Sequence, residues 1–221
     1  QGMTAALSNA LLRSDVARVV VDQIGDAVGA DGAALVSASE ERRSTAPLAA
    51  HGYPEDDDLS WLEVSPDGRT PAARAVRRRT SAFYASLQEL AAEFPDVAQG
   101  LERTGHESFL FLPLVAGRRT SALLAVSWAT PYVLSAEERR FVEALAGQAA
   151  QALDRATSFE TEQTIAETLQ RSVLPVSLPA VDGLELAARY LPGTEELDVG
   201  GDWFDAIQLP DGRLGLVVGD V

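Results

Sequence analysis

Ser108-Phe109-Leu110-Phe111-Leu112-Pro113-Leu114-Val115 is followed, across Gly117-Arg118-Arg119-Thr120, by Ala122-Leu123-Leu124-Ala125-Val126-Ser127-Trp128. Two apolar runs of strand length flanking a turn predict a β-hairpin. It reads as the centre of an antiparallel sheet with helices on one side. Upstream, Leu7, Leu11, Leu12, Val16, Val19, Val20, Ile24 and Val28 recur at three- and four-residue steps, one face of a helix over Thr4 to Val28. Asp31-Gly32 makes a turn, and Ala33–Ser37 and Ala46–His51 after it read as short strands. Asp56 to Ser60 is an acidic loop. Pro71 suits the first position of a helix running to Arg79. Ser81–Tyr84 reads as a strand, and Leu87–Phe94 and Val97–Arg103 as helices separated by Pro95. This order of elements is α+β.

Downstream, Ser135 with Glu138 three residues on is a capping box and starts a helix. Apart from Gly147, no Gly or Pro interrupts it before Pro175. Phe141, Leu145, Ala149, Ala152, Ala156 and Phe159 form a seam that continues less regularly through Gln163, Ala166, Leu169 and Val173. About 40 residues of helix would be roughly 60 Å long, suiting a coiled-coil dimer or a rigid connector. Two helices with a break near Thr157-Ser158 are the alternative. Beyond Pro175, Leu184–Leu191, Trp203–Leu209 and Leu214–Val218 read as strands, with Pro210-Asp211-Gly212 as a turn. The expected division is 3–134 for an α+β domain, 135–174 for a linker helix and 175–221 for the start of a second, β-rich domain. Three uncovered strands form an unfinished domain, expected to be swapped onto a partner or loosely held.

The chain has 221 residues and 46% hydrophobic content, enough for one domain and part of another. Gln1 and Gly2 precede the only methionine, Met3, and read as a cloning remnant. There is no cysteine, which excludes disulfides, thiolate metal sites and thioether-linked chromophores and fits a cytoplasmic protein. All 18 basic residues are arginine, and the net charge of −15 argues against nucleic acid as a partner. No apolar run is long enough to span a bilayer. The long helix holds no histidine to accept phosphate, which disfavours a phosphorelay protein.

The last hairpin carries a possible metal site. A three-residue loop, Pro210–Gly212, pairs Leu209 with Arg213 and sets Asp202 opposite Asp220. A two- or four-residue loop offsets them by one. Opposed Cβ atoms lie about 5 Å apart. Carboxylates that close repel unless a proton or a divalent cation intervenes. Gly200, Gly201 and Gly219 allow close backbone approach, and hard oxygen donors suit Mg²⁺ or Mn²⁺. On spacing alone both aspartates read rather as ordinary turn acids at strand ends, since Gly-Asp pairs are common in turns.

Leu169-Gln170-Arg171-Ser172-Val173-Leu174-Pro175, Ala188-Arg189-Tyr190, Val199-Gly200-Gly201-Asp202-Trp203-Phe204-Asp205 and Leu209-Pro210-Asp211-Gly212-Arg213 through Gly219-Asp220-Val221 occur in that order. Together they resemble the start of SpoIIE-like phosphatases, the bacterial branch of the metal-dependent (PPM-type) serine/threonine phosphatases. The resemblance implies that Asp202, Asp220 and the backbone carbonyl of Val221 are ligands of a two-ion Mn²⁺ or Mg²⁺ site. It implies no role for Asp205. The family's other aspartate ligands lie further downstream, so phosphatase activity is not expected of these 221 residues alone. The usual substrates are phosphorylated anti-sigma antagonists.

The hairpin Ser108–Trp128 and Leu145-Ala146-Gly147-Gln148-Ala149-Ala150 make the first 155 residues resemble a GAF domain, a sensory module that is often dimeric. A stand-alone GAF ligand-binding or dimerisation module is the alternative reading. A homodimer through the Thr4–Val28 and Ser135–Val173 helices is expected. The absence of lysine excludes the lysine-containing motif of cyclic-nucleotide GAF domains. His51 and His106 carry haem-ligand atoms but read as solvated or hydrogen-bonded loop residues. Tyr53, Trp61, Phe83, Tyr84, Phe109 and Trp128 could line a pocket but read as core. Arg74, Arg77, Arg78 and Arg79 could meet an anionic ligand but read as a solvated helix face.

Overall fold

The computed structural model describes residues 2–38, 47–53, 59–62, 64, 68–117, 119–172, 174–175, 177–189 and 203–219. The chain divides into two compact units, Gln1–Ser158 and Phe159–Val221. The first is built on the expected hairpin, β4 (Ser108–Ala116) and β5 (Arg119–Trp128). The strands β1 (Gly32–Ser37), β2 (Pro47–His51) and β3 (Ala82–Tyr84) complete an antiparallel sheet of order β2-β1-β5-β4-β3.

Helices cover both faces of this sheet, not one. Leu110, Leu112, Leu114, Leu124 and Val126 face α1 (Gly2–Asn9), α2 (Arg13–Ala27) and α6 (Ala136–Ser172). The alternate residues Phe109, Phe111, Leu123 and Ala125 pack with α3 (Pro71–Arg78), α4 (Leu87–Glu93) and α5 (Pro95–Leu101). The signal was in β4 itself. A strand with one wet face alternates apolar and polar residues, whereas Phe109–Val115 is apolar throughout.

Local chemistry sets most of the helix ends. Thr70 caps α3, its Oγ1 accepting from the Ala73 amide at 3.0 Å, with Pro71 at the first helical position. Phe94, held out of the helical region by Pro95, ends α4 and starts α5. Ser135 Oγ accepts from the Glu138 amide (3.2 Å) and Glu138 Oε2 from the Ser135 amide (2.9 Å), completing the capping box at the head of α6.

The N-terminal helix is broken where one was expected. α1 stops at Asn9 and α2 begins at Arg13, with Leu12 extended between them. Ser8-Asn9 compete with helical backbone hydrogen bonding. The kink leaves Leu7 and Val16 buried and Leu11 and Leu12 exposed.

α6 runs unbroken through Thr157-Ser158. Its first turns belong to the core of the first unit, through Val142, Ala146, Ala149, Ala150 and Leu153. Ala149, Ala152 and Ala156 of the expected seam are thus buried against their own chain. Phe141 is 48% exposed.

In the second unit, β6 (Trp203–Gln208) and β7 (Leu214–Gly219) form an antiparallel hairpin. Residues 185–189 form no strand, although Leu184–Leu191 was expected to; a single bridge joins Val181 and Leu184. Among the described residues no ladder partner lies beside 185–189, so their alternation of apolar residues finds no sheet to join.

Candidate functional site

Two places carry the candidate chemistry, and each lies within one unit. The first is the α3–α5 face of the sheet, which holds part of the set of six aromatics that could line a pocket but read as core. Only four are there. Tyr53, Trp61, Tyr84 and Phe109 share the core with Phe111 and Phe94, whereas Phe83 and Trp128 point to the α2/α6 face. Trp128 there stacks on Tyr132 at 4.2 Å, and its Nε1 donates to the Val28 carbonyl at 3.1 Å. Strand alternation separates Phe83 from Tyr84.

Two polar clusters are built into the aromatic face. In one, Ser127 Oγ lies 2.9 Å from the Tyr53 hydroxyl and 3.1 Å from His106 Nδ1. The Tyr53 ring meets His106 edge-on and tilts against Trp61, each at 5.4 Å between centroids. Gly32 makes this possible, because a Cβ there would lie 2.7 Å from Ser127 Oγ and 2.9 Å from the His106 ring. Burial pushes the His106 pKa down, against a smaller upward pull from Asp31. Ser127 was not singled out from sequence. Its signal was a lone polar residue in the run Ala122–Trp128.

In the other cluster, Arg74 is held by Glu93 and the Tyr84 hydroxyl, with its guanidinium 4.7 Å from the Phe94 ring centroid. The Arg74 hydrogen bond lowers the Glu93 pKa, and burial raises that of Tyr84. Arg74 therefore joins α3 to α4 instead of lying on a solvated face. Arg77 Nη1 donates to the Gly68 carbonyl at 2.7 Å, and Arg79 closes α3 in the left-handed conformation. His51 is exposed at the end of β2.

The second place is the β6–β7 hairpin. Leu209 donates to the Arg213 carbonyl at 2.8 Å, and the pairs run from Gln208–Leu214 to Trp203–Gly219. This is the register of the three-residue loop. Arg213 returns to Asp211 through its Nε at 2.7 Å, which lowers the Asp211 pKa. A Cβ at Gly219 would run into the Trp203 indole, so a larger residue there would have to displace that ring. The next residue on each strand is Asp202 or Asp220, and both, with Val221, lie outside the described residues. Asp205 is opposite Val217.

The five-stranded antiparallel sheet sandwiched by helices defines a small α+β fold. The GAF domain model matches residues 11–154, and the chain belongs to that family. The GAF domain of an Acinetobacter phosphoenolpyruvate-protein phosphotransferase is similar, with 15% identity and a TM-score of 0.56, over 71% of this chain and 91% of that one. A GAF domain/HD domain protein from Geobacter sulfurreducens matches with 16% identity and a TM-score of 0.56, over 68% of this chain and 97% of that one. At such identities the likeness is one of fold. No helix among the described residues is long and apolar enough to cross a membrane.

Proposed function

We propose that this chain is the sensory and regulatory portion of a bacterial metal-dependent phosphoserine/phosphothreonine phosphatase. In this reading Asp202, Asp220 and the Val221 carbonyl contribute to a Mn²⁺ or Mg²⁺ pair, and the substrate is a phosphorylated anti-sigma antagonist. The observation that supports it is the β6–β7 register. It closes on Trp203–Gly219, immediately before the two aspartates on their respective strands. A donor set of hard oxygens alone suits these ions, which when bound supply an activated water for attack on the phosphoryl group. Asp202 and Asp220 hold the charge, and Gly219 leaves room beside Trp203. Further ligands belong beyond Val221, so these residues alone hold metal weakly.

A chain extended past Val221 should hydrolyse a phosphoserine peptide with Mn²⁺ and lose that activity on Asp202→Ala. In the present chain, Mn²⁺ should broaden the amide signals of Trp203 and Gly219, and Asp202→Asn with Asp220→Asn should abolish this. An extended, folded chain that is inactive with Mn²⁺ removes the phosphatase reading.

The second reading is a stand-alone GAF ligand-binding or dimerisation module. It is favoured by the first unit enclosing its own apolar cores on both faces of the sheet. Both readings expect a homodimer through the N-terminal and α6 helices. Because Ala149, Ala152 and Ala156 are buried within the chain, the dimer face would have to use other positions, such as exposed Phe141. Light scattering at micromolar concentration should report two copies, and a monomer there removes this assembly.

A further inference from the structure

The geometry points to a binding site for a small hydroxylated oxyanion in the first unit, in a groove between the start of α2, the far end of the sheet and α6. The groove encloses about 450 Å³, within the usual range for a metabolite pocket. It shares no lining residue with the Tyr53–Ser127–His106 or Arg74 clusters and is separate from them.

The backbone departs from regularity at this groove in two adjacent strand pairs. Leu114 pairs with Ala122 but Val115 with Thr120, leaving Ser121 as an extra residue in β5. Leu35 pairs with Ala49 but Val36 with Pro47, leaving Leu48 as an extra residue in β2. Both extra residues line the groove. Bulges re-aim side chains and recur beside functional sites, and here two of them border one cavity.

The lining chemistry selects the ligand. Arg13, at the head of α2, and Arg119, at the start of β5, both line the groove. Guanidiniums match phosphate and carboxylate oxygens. Ser37, Thr120 and Ser121 add hydroxyls that donate to or accept from hydroxyl groups on the same ligand. Asp154, on α6, can accept from such a hydroxyl but opposes a bare multivalent anion. Among the described lining residues two are arginine and one is aspartate, on a chain of net charge −15, so oxyanion capture here has to be local. Leu153 and Thr157 extend the α6 wall, so an occupant would touch α2, the sheet and α6 together. This inference stands independently of the phosphatase reading.

The test is an amide-resolved NMR titration of the 221-residue chain with ribose 5-phosphate, citrate and neutral ribose. Saturable shifts at Ser37, Thr120, Ser121 and Asp154–Thr157 are expected with one or both anions and not with ribose. The responding anion identifies phosphate or carboxylate as the recognised group. Arg119→Ala should weaken binding about tenfold or more with the rest of the spectrum unchanged. Ser121→Ala should weaken binding of the responding anion less than Arg119→Ala does. The site is overturned if neither anion shifts these amides, if ribose binds as well as the anions, or if Arg119→Ala leaves the titration unaltered.

Discussion

The two long hairpins of this protein obey the same pairing rules and differ in what surrounds them. β4–β5 is buried on both faces, with Leu110, Leu114, Leu123, Leu124 and Val126 all at 0% exposure. β6–β7 has six cross-strand pairs, yet Leu216 is 67% and Val218 85% exposed. Ladder hydrogen bonds exchange protein partners for water and stabilise little by themselves, whereas burial of apolar surface contributes about 25 cal/mol per Å². An isolated two-stranded hairpin is therefore marginal. The first unit buries apolar residues on both faces of its sheet. The second displays apolar Leu216 and Val218 to solvent.

The largest expected consequence lies in amide exchange. Amides of β4–β5 should open only with global unfolding, those of β6–β7 locally, giving protection on the order of a thousandfold or more higher in the first hairpin. Hydrogen exchange read by mass spectrometry would break the comparison if both hairpins exchange together. Next in size is a cavity in the buried hairpin. Leu124→Ala removes a fully buried side chain between the sheet and its helices and should cost about 3–5 kcal/mol in chemical denaturation.

What was legible in the sequence follows the same division. The buried hairpin, Pro71, Pro95 and the Ser135–Glu138 box were readable because their causes are local: apolar runs, a fixed φ and a reciprocal cap. The break at Ala10–Leu12 was not, since apolar spacing alone does not distinguish one helix from two set at an angle. The aromatic candidates divided over two faces because one-residue alternation, not residue type, decides sides. The bulges at Ser121 and Leu48 were invisible because each exists only relative to its partner strand. The tail hairpin was legible through Pro210-Asp211-Gly212, but no local signal separates a strand at Leu184–Arg189 from an extended segment without a partner.

A smaller effect tests the head of α6. Ser135→Ala removes the acceptor for the Glu138 amide and should lower stability by about 1 kcal/mol, measured by thermal or urea unfolding. Tyr132 is linked to the same cap, with its hydroxyl donating to Glu138 at 2.6 Å and its pKa pushed up to about 12. Tyr132→Phe combined with Ser135→Ala should therefore be non-additive.

His106 sets a pH dependence of similar or smaller size. Its folded pKa is depressed by burial, so its neutral form is the one the fold accepts. Above the unfolded value of about 6.5 both states are neutral and the native contribution is fully present. As pH falls through the folded value, protonation loads charge into the Tyr53–Ser127 cluster and stability declines. Urea midpoints should fall on acidification below about pH 6.5, and His106→Gln should flatten that slope. An unchanged slope in His106→Gln would assign the acid sensitivity to other groups.

The smallest effect carries the comparison to its limit. Val218 sits in a regular antiparallel pair with Phe204, just as Leu124 sits opposite Leu112, and by backbone geometry the two positions are equivalent. If burial decides, Val218→Ala should alter stability by no more than about 0.5 kcal/mol, against several for Leu124→Ala. The exchange rate of the β6–β7 amides should move equally little, since a valine facing water protects no neighbour. A loss above about 2 kcal/mol would mean that a surface packs on this strand in solution, because only a covered valine costs that much to truncate. Repeating the measurement across a hundredfold range of protein concentration then separates a second copy of the chain, whose contribution grows with concentration, from a segment of the same chain, whose contribution does not.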